Sequence, residues 1–367
     1  MKPEPFRIEP IFSPRLWGAR SLAPLFPEKS NLTEPLGEAW LTGVDCRIAN
    51  SPFAGKTLGQ AWKEMTTAWR GLEFQDEADF PLLLKFIFPT DKLSIQVHPD
   101  DTYAAAHESA AGGKGKTEMW YVVSAEPGAR LLAGLKPGVT KERVLSALAG
   151  HTLEDLFQSH EVRAGDTYFI PAGTPHTIGP GMIICEVQEY SDLTYRLYDY
   201  GRVDANGKSR ELHIEKALEV MNYSPTIGGK IELRPPQTLR GRLWVDLVEC
   251  PYFSTSRFEF DQPIQDHSRI RPTPPMQFGL WIFLEGEGQV NWFCHRYDKS
   301  KSSVGRFSYK PGECWFLPGV FWGHGFYPKN KTSMLVASPR NPKFNLTKHG
   351  RVTPPREESW MRRLFGR

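Results

Sequence analysis

Two stretches of the chain, whose first glycines lie 147 residues apart, share an order of residues that strongly limits the available folds. AGDTYFIPAGTPH (residues 164–176) and PGECWFLPGVFWGH (residues 311–324) each contain a glycine, an acidic residue, an aromatic pair, an aliphatic residue and turn residues. EMWYVVSAEPG (118–128) and FGLWIFLEGEG (278–288) form a second pair at a similar separation. Repetition of strand and turn segments indicates a structural unit present twice. The sequence therefore predicts two copies of one β-barrel.

The composition favours the same fold class. The 367 residues include 32 glycines and 31 prolines, and 12% of the chain is aromatic. Short apolar runs separated by turn residues are typical of all-β proteins. A Gly-Asp pair followed by Pro-Ala-Gly and a histidine resembles a signature of the cupin double-stranded β-helix. We therefore expect a mainly β protein with two cupin-type (double-stranded β-helix) barrels and a few helices packed around them.

Three segments follow from this interpretation. Residues 1–225 form an N-terminal cupin domain with helical insertions that carries the chemistry, and residues 226–345 form a C-terminal cupin-like domain without a metal site. Residues 346–367 are a basic tail. Apolar residues at helical spacing predict helices that begin after Thr57 and that extend over residues 139–160.

Charge, hydropathy and cysteine usage exclude several classes of protein. Forty-five basic residues against forty-two acidic ones give a net charge of +3, which predicts no nucleic-acid partner. The sequence contains no apolar run of about 18 residues, so it predicts no membrane-spanning helix. The N-terminus lacks the apolar segment of a signal peptide. The five cysteines are scattered, which indicates free thiols in a reducing compartment and predicts a cytoplasmic protein. The oligomeric state stays open.

The stretch LSIQVHPDD (93–101) reads as a short strand that contains two polar residues, Gln96 and His98. Successive side chains of a strand alternate between its two faces, so residues two positions apart share a face. If Ile95 and Val97 pack outward, Gln96 and His98 point together into the lumen of the barrel. The sequence thus predicts an amide and an imidazole side by side inside the first barrel.

Two further residues are predicted to reach the same lumen. Glu118 opens a strand after a glycine-rich loop, and His176 follows the turn PAGTP. Two imidazoles and one carboxylate with a further open position form a good catalytic zinc set. The amide of Gln96 is an unusual ligand for zinc, and Mn²⁺ or Fe²⁺ also accept nitrogen and oxygen ligands. Ligand type alone therefore leaves the metal open.

The second barrel does not repeat the predicted set. Phe278 stands where Glu118 stands in the first repeat, and His324 is one residue away from the position of His176. A structural role is therefore expected for His324. We expect one metal site, in the first barrel.

Several motifs together resemble the type I mannose-6-phosphate isomerase family over residues 10–222. These motifs are LSIQVHPDD, GKTEMWYVV, PAGTPHTIG, YRLYDYGR and LHIEKALEV. The resemblance implies an aldose–ketose isomerase that interconverts mannose 6-phosphate and fructose 6-phosphate through a cis-enediol. It also implies one zinc ion per chain, held by Gln96, His98, Glu118 and His176.

Five more residues are candidates for catalysis or phosphate binding. Glu186 follows His176 by ten residues on a strand, and it is a candidate acid or base. Lys116 is the other candidate base, because nearby cations could lower the pKa of its ammonium group; the sequence leaves the choice between them open. Arg196 matches an arginine of the family and could hold the phosphate or the enediolate oxygens. Arg202 and Lys114 could complete a cationic pocket for the phosphate of a small phosphorylated sugar.

Two other functions remain as alternatives. The first is another cupin metalloenzyme, such as a dioxygenase, although a dioxygenase usually carries a third histidine where this chain has Gln96. The second is a non-catalytic protein that binds sugar phosphates. The presence of Lys116, Glu186 and Arg196 argues against this second alternative.

Overall fold

The computed structural model describes residues 1–203, 206–239, 241–263, 277–294 and 303–343, so the predicted basic tail at 346–367 lies outside the described residues. Strands dominate these ranges. The strands in chain order are β1 Phe6–Ile8, β2 Ile11–Ala19, β3 Leu36–Trp40, β4 Leu82–Ile87, β5 Ile95–Val97, β6 Glu118–Ala125, β7 Arg130–Leu135, β8 Phe157–Glu161, β9 Thr167–Ile170, β10 His176–Ile178, β11 Met182–Glu189, β12 Tyr195–Tyr198, β13 Gly229–Lys230, β14 Gln237–Leu239, β15 Arg242–Glu249, β16 Phe253–Phe260, β17 Gly279–Glu285, β18 Gly288–Cys294, β19 Ser303–Tyr309, β20 Cys314–Leu317, β21 Phe321–Pro328 and β22 Thr332–Pro339.

The helices are short. They are α1 Leu58–Glu64, α2 Thr67–Arg70, α3 Asp101–His107, α4 Lys141–Ala149 and α5 Ile214–Val220, with 3₁₀ turns at Pro27–Lys29, Leu72–Phe74, Ser109–Ala111 and Leu153–Leu156. Thr57 caps α1 as predicted, and its hydroxyl accepts from the backbone N–H of Gln60 while the Gln60 side chain accepts from that of Thr57. The single helix predicted over residues 139–160 was wrong, because the chain leaves α4 through a 3₁₀ turn and then enters β8.

The first barrel consists of two sheets that enclose an apolar and polar lumen. Its five-stranded sheet has the order β12-β5-β10-β7-β8, and its seven-stranded sheet has the order β13-β9-β6-β11-β4-β3-β2. Buried side chains from both sheets meet in one cluster that includes Leu131, Ile178, Trp120 and Ile184. The outer face of the five-stranded sheet is covered by helices, since Ile95 packs in a separate cluster with residues of α4 and α5.

The second barrel has the same two-sheet arrangement in the described residues. A three-stranded sheet, β19-β18-β21, lies over a seven-stranded sheet, β1-β20-β17-β22-β16-β15-β14. The cluster between them is strongly aromatic and includes Trp281, Phe283, Phe307 and Phe326. The prediction of a mainly β protein with two cupin-type barrels and a few surrounding helices is confirmed.

Strands β6 and β7 are joined by a short turn but do not pair with each other. Strand β6 pairs with β9 and β11, whereas β7 pairs with β8 and β10 in the facing sheet. The turn between β6 and β7 therefore carries the chain from one sheet to the other. As a result, β6 lies beside β11 and β7 lies beside β10, although these strands are distant in the sequence.

Alternation along β6 divides its side chains between two cores. Trp120 faces the lumen, whereas Met119 and Tyr121 face outward and share a buried cluster with Leu280 and Ile282 of the second barrel. The two seven-stranded sheets thus pack back to back across one continuous apolar layer. Burial of this layer stabilises both barrels together.

Two short strands cross the domain boundary predicted at residue 225. Strand β1, near the N-terminus, pairs with β20 of the second barrel, and β13 pairs with β9 of the first. The boundary itself stays a prediction. These pairings link the two barrels by backbone hydrogen bonds in addition to the shared core.

All five cysteines are buried and free of disulfides, as the sequence predicts. Among the described ranges, every helix is too short or too polar to cross a membrane. The cytoplasmic location stays a prediction.

Candidate metal centre

Strands β5, β10 and β12 bring three of the predicted side chains to one level of the five-stranded sheet. His176 is the backbone partner of Gln96 on one side of β5, and Arg196 is its partner on the other side. His98 follows β5 directly and is buried, as is His176. The alternation argument was therefore sufficient to place Gln96 and His98 together.

His98, Glu118 and His176 form one compact group in the lumen, with ligand atoms that all lie within 4.8 Å of one another. The Nε2 atom of His98 is 3.3 Å from Oε1 of Glu118, and Nε2 of His176 is 3.8 Å from Oε2 of the same carboxylate. Within the described part of the chain this is the one group of three or more His, Cys, Asp or Glu residues with such geometry.

Each imidazole is held by a backbone carbonyl behind it. Nδ1 of His98 lies 2.7 Å from the carbonyl oxygen of Leu193, and Nδ1 of His176 lies 2.9 Å from that of Thr174. A carbonyl only accepts, so each Nδ1 carries the proton and each Nε2 presents a lone pair to the centre. Burial lowers the pKa of both imidazoles, that of His176 to about 3, so both rings are neutral.

The amide of Gln96 completes the group and links it to Arg196. Its Nε2 lies 3.3 Å from Nε2 of His176, while its Oε1 accepts from the hydroxyl of Ser94 at 3.3 Å. A 180° rotation of the Gln96 side-chain amide exchanges the positions of its oxygen and nitrogen, so the oxygen can point toward His98, Glu118 and His176. Ser94 in turn accepts from Nε of Arg196 at 3.3 Å, and Arg196 also donates to the carbonyl of Glu211.

These residues fit a divalent metal. Neutral imidazole nitrogens, one carboxylate and one amide oxygen match the nitrogen and oxygen donors that zinc, manganese and iron accept. Carbonyl partners behind both histidines are the usual second layer of a metal site. The carboxylate of Glu118 is ionised, because the charge of Lys116 outweighs its burial and lowers its pKa well below the usual range.

Lys116 lies inside this group rather than beside it. Its ammonium donates to Oε1 of Glu118 and lies 3.2 Å from Nε2 of His98. Burial opposes its charge, but Glu118 and Glu186 outweigh burial and raise the pKa of Lys116. This direction is opposite to the lowering that the sequence argument required of a lysine base, because carboxylates rather than cations surround it.

Glu186 faces the same lumen from β11. Its Oε2 accepts from the indole N–H of Trp120 at 3.0 Å, and the ammonium of Lys85 lies 3.9 Å from its Oε1. Burial and the charge of Glu118 raise the pKa of Glu186 to about 7. A carboxyl group that titrates near neutrality suits the transfer of a proton.

Sequence reasoning missed Lys85, which lies in the strand LLLKFI of β4. It is buried, and its ammonium lies 3.5 Å from Asp192 as well as near Glu186. A charged residue at an inward position of an otherwise apolar strand was the signal available, since a buried lysine needs a carboxylate partner.

The segment GEAW (37–40) also contributes to the lumen. Glu38 accepts from Nε1 of Trp40 and from Arg15, each at 2.7 Å. The ammonium of Lys85 lies 4.7 Å from the centre of the Trp40 ring. An aromatic face and several charges therefore line the lumen on the side of β3 and β4.

A cluster of arginines lies at the end of β12. Arg202 and Arg210 both donate to the carboxylate of Asp199, and Arg202 also donates to the carbonyl of Lys92. Burial and the charges of Arg210 and Arg202 lower the pKa of Arg196, which agrees with three guanidinium groups close together. Arg210 was missed in the sequence because no motif includes it.

Lys114 occupies a different place from these arginines. Its ammonium lies 3.6 Å from the exposed carboxylate of Asp79. Its carbonyl oxygen accepts from the hydroxyl of Ser191, which fixes the glycine-rich loop to the segment after β11. A role of Lys114 in phosphate binding stays a prediction.

The second barrel contains a close counterpart of one part of the site. The ring of His176 packs edge-on against Trp120, with centroids 5.1 Å apart at 75°, and the ring of His324 packs against Trp281 at 5.0 Å and 78°. The two tryptophans also occupy equivalent strands, β6 and β17. His324 therefore lies where His176 lies in the first barrel.

This equivalence corrects the alignment made from the sequence. Glu118 precedes Trp120 by two residues, and Gly279 precedes Trp281 by two, so Gly279 rather than Phe278 takes the place of Glu118. Phe278 faces outward into the core between the barrels. The one-residue offset of His324 is absorbed by an irregular register between β18 and β21, which the sequence could not reveal.

Comparison with known proteins places this geometry in one family. Residues 6–123 match the model of the phosphomannose isomerase type I catalytic domain. The chain is 35% identical over 296 residues to the mannose-6-phosphate isomerase ManA of Bacillus subtilis, a match that covers 79% of this chain and 88% of the relative. It is 38% identical over 259 residues to GmuF of the same organism, described as a probable mannose-6-phosphate isomerase, with 70% and 79% covered.

A solved structure supports the same relationship. The crystal structure of the mannose 6-phosphate isomerase from Bacillus subtilis superposes with a TM-score of 0.76 and 27% sequence identity. The match covers 91% of this chain and 99% of that chain, so both barrels are included.

Proposed function

The chain belongs to the type I mannose-6-phosphate isomerase family, and on that premise we propose that it interconverts mannose 6-phosphate and fructose 6-phosphate with one bound zinc ion. The observation that carries the proposal is the buried group of His98, Glu118 and His176, with ligand atoms within 4.8 Å. Gln96 is the fourth proposed ligand. When bound, the metal would polarise the sugar carbonyl and stabilise negative charge on the neighbouring oxygen.

Proton transfer in this proposal falls to Glu186. The isomerisation removes a proton from C2 of the aldose and delivers one to C1, through a cis-enediol. With a pKa raised to about 7 by burial and by Glu118, the carboxyl group of Glu186 can both accept and return a proton near neutral pH. Lys116, which stays protonated, would stabilise negative charge on the substrate rather than act as the base.

The phosphate group is proposed to bind at the arginines that lie within and after β12. Arg196 donates to Ser94, which donates to Gln96, and this connection to a proposed metal ligand supports the assignment. Arg202 and Arg210 are oriented by Asp199. Guanidinium groups bind phosphate through paired N–H donors, which suits this end of the substrate.

A coupled assay before and after chelation tests the proposal. We expect isomerisation of mannose 6-phosphate, about one zinc ion per chain by elemental analysis, and loss of activity on chelation that zinc restores. Full activity in protein shown to contain no metal would contradict the zinc requirement. Failure to convert mannose 6-phosphate in the zinc-loaded protein would contradict the function itself.

The phosphate assignment has a separate test. Arg196→Ala should raise the KM for mannose 6-phosphate about 10- to 100-fold, because a charge-assisted pair to phosphate contributes about 1.5–3 kcal/mol. Zinc content should stay unchanged. Arg143→Ala on α4, an exposed arginine that donates to the carbonyl of Gly138, is a control that should leave KM unchanged.

A further inference from the structure

Trp120 is a neutral hydrogen-bond donor that contacts two carboxylates of the lumen, those of Glu118 and Glu186. Its indole N–H lies 3.2 Å from Oε2 of Glu118 and 3.0 Å from Oε2 of Glu186. The side chain is completely buried, and its ring packs edge-on against His176. Trp120 thus hydrogen-bonds to one proposed metal ligand, Glu118, and packs against a second, His176. It also hydrogen-bonds to the proposed proton-transfer group, Glu186.

The contacts of Glu118 show what this donor contributes. Oε1 of Glu118 accepts from Lys116 and lies near His98, whereas Oε2 faces His176 and Trp120. With no donor at Oε2, the carboxylate could rotate about its terminal torsion, which is broad and weakly restrained. The indole N–H restrains that torsion, as the backbone carbonyls restrain the two imidazoles.

We propose that Trp120 is a positioning residue of the metal centre, whose shared indole N–H fixes the Glu118 carboxylate toward the metal and holds Glu186 at a set distance from it. The inference rests on the proposed function. Partners of this kind behind metal ligands typically change metal affinity or activity about 10- to 100-fold when removed.

Trp120→Phe is the direct test, because it removes the N–H and keeps an aromatic ring against His176. We expect zinc affinity, measured by competition with a chromogenic chelator, to fall about 10- to 100-fold. With zinc saturating, kcat should fall about tenfold or more while the KM for mannose 6-phosphate changes less than about twofold, because Trp120 acts on the centre and not on the phosphate.

The second barrel supplies a matched control. Trp281 is equally buried and packs against His324 with the same geometry, but Gly279 and Val336 stand where Glu118 and Glu186 would be. Trp281→Phe should therefore lose thermal stability to a similar extent and keep the zinc affinity and kcat of the wild-type protein. An equal loss of zinc affinity in both variants would reduce Trp120 to a packing residue and overturn the inference.

A second measurement uses the intact protein, in case Trp120→Phe does not fold. In protein labelled with ¹⁵N at the tryptophan indoles, one N–H signal should shift both on zinc titration and in Glu186→Gln. Absence of any signal that responds to both changes would overturn the inference. If the wild-type protein bound no zinc and did not isomerise the sugar, the proposed function would fail instead, so the two failures are distinguishable.

Discussion

The two barrels share a tryptophan and a histidine in the same arrangement, yet one lumen is ionic and the other aromatic. In the first barrel, Trp120 faces Glu186 across β6 and β11; in the second, Trp281 faces Val336 across β17 and β22. His324 packs edge-on against Trp281 and Phe326.

Further positions show the same replacement. Lys85 is the strand partner of Glu186, and Ser256 is the strand partner of Val336. Ala133 beside His176 leaves space for the site, whereas Trp292 beside His324 fills the equivalent space. The same barrel fold can therefore hold either a group of charged residues or an apolar core. The residues at a few inward-facing positions determine which of the two it holds.

The largest expected difference is between the two histidines. His176→Ala should lose zinc and at least about 1,000-fold in isomerase activity, because the metal is expected to contribute several kcal/mol to the transition state. His324→Ala should keep one zinc per chain and lose only stability, about 0.5–3 kcal/mol. Elemental analysis and the coupled assay check both. Loss of zinc in His324→Ala would break the comparison.

Adding a carboxylate to the second lumen and removing one from the first tests how the two lumens differ in their tolerance of charge. Val336→Glu should destabilise the protein by about 3–5 kcal/mol in urea unfolding, because it buries a charge among aromatic rings. Glu186→Gln should change stability by less than about 1 kcal/mol, since Lys85 keeps Asp192 as a partner. The activity of Glu186→Gln should fall about 100-fold or more. A stable Val336→Glu variant would show that the second lumen tolerates charge.

The pH dependence of stability sharpens the comparison at the junction between the barrels. Glu189 accepts from the backbone N–H of Thr117, and burial and the charge of Asp101 raise its pKa to about 8 from the ordinary 4.5. Between these values the folded state binds a proton that the unfolded chain releases, so stability falls as pH rises, by up to about 1.4 kcal/mol per pH unit.

Glu189→Gln removes that titration and keeps an acceptor for Thr117. Urea unfolding should show the variant about 2–3 kcal/mol more stable than the wild type at pH 9 and equal to it near pH 5. If the free energy of unfolding changed with pH equally in the variant and the wild type, Glu189 would not be the source of the pH dependence of stability.

The smallest expected effect concerns support of the site by the second barrel. The hydroxyl of Tyr252 donates to Oδ2 of Asp101 at 3.1 Å, and Oδ1 of Asp101 accepts from the N–H of Gly115, next to Lys116. Tyr252→Phe should cost about 0.5–1.5 kcal/mol of stability and reduce kcat less than about threefold. A larger loss of kcat than this would show that the second barrel controls the loop of Lys116 directly.

Much of this architecture was predictable because it follows from local rules. The repeat predicted two β-barrels, and the alternation of strand side chains predicted that Gln96 and His98 share a face. The family motifs indicated that Glu118 and His176 join them. These are properties of single strands and turns, which adjacent residues determine.

The environment of each group was decided only by the tertiary structure. Lys116 was a candidate base if nearby cations lowered its pKa, but the fold brings Glu186 of β11 close to it in addition to Glu118, and the pKa is raised instead. The place of His324 depends on an irregular strand register, and the contacts of Trp120 depend on β6 and β11 being neighbours. The sequence by itself determined the fold class and the shared face of Gln96 and His98, but it did not reveal Lys85. Only the fold decided which side chains meet in the lumen, because charge, burial and hydrogen bonding act through space rather than along the chain.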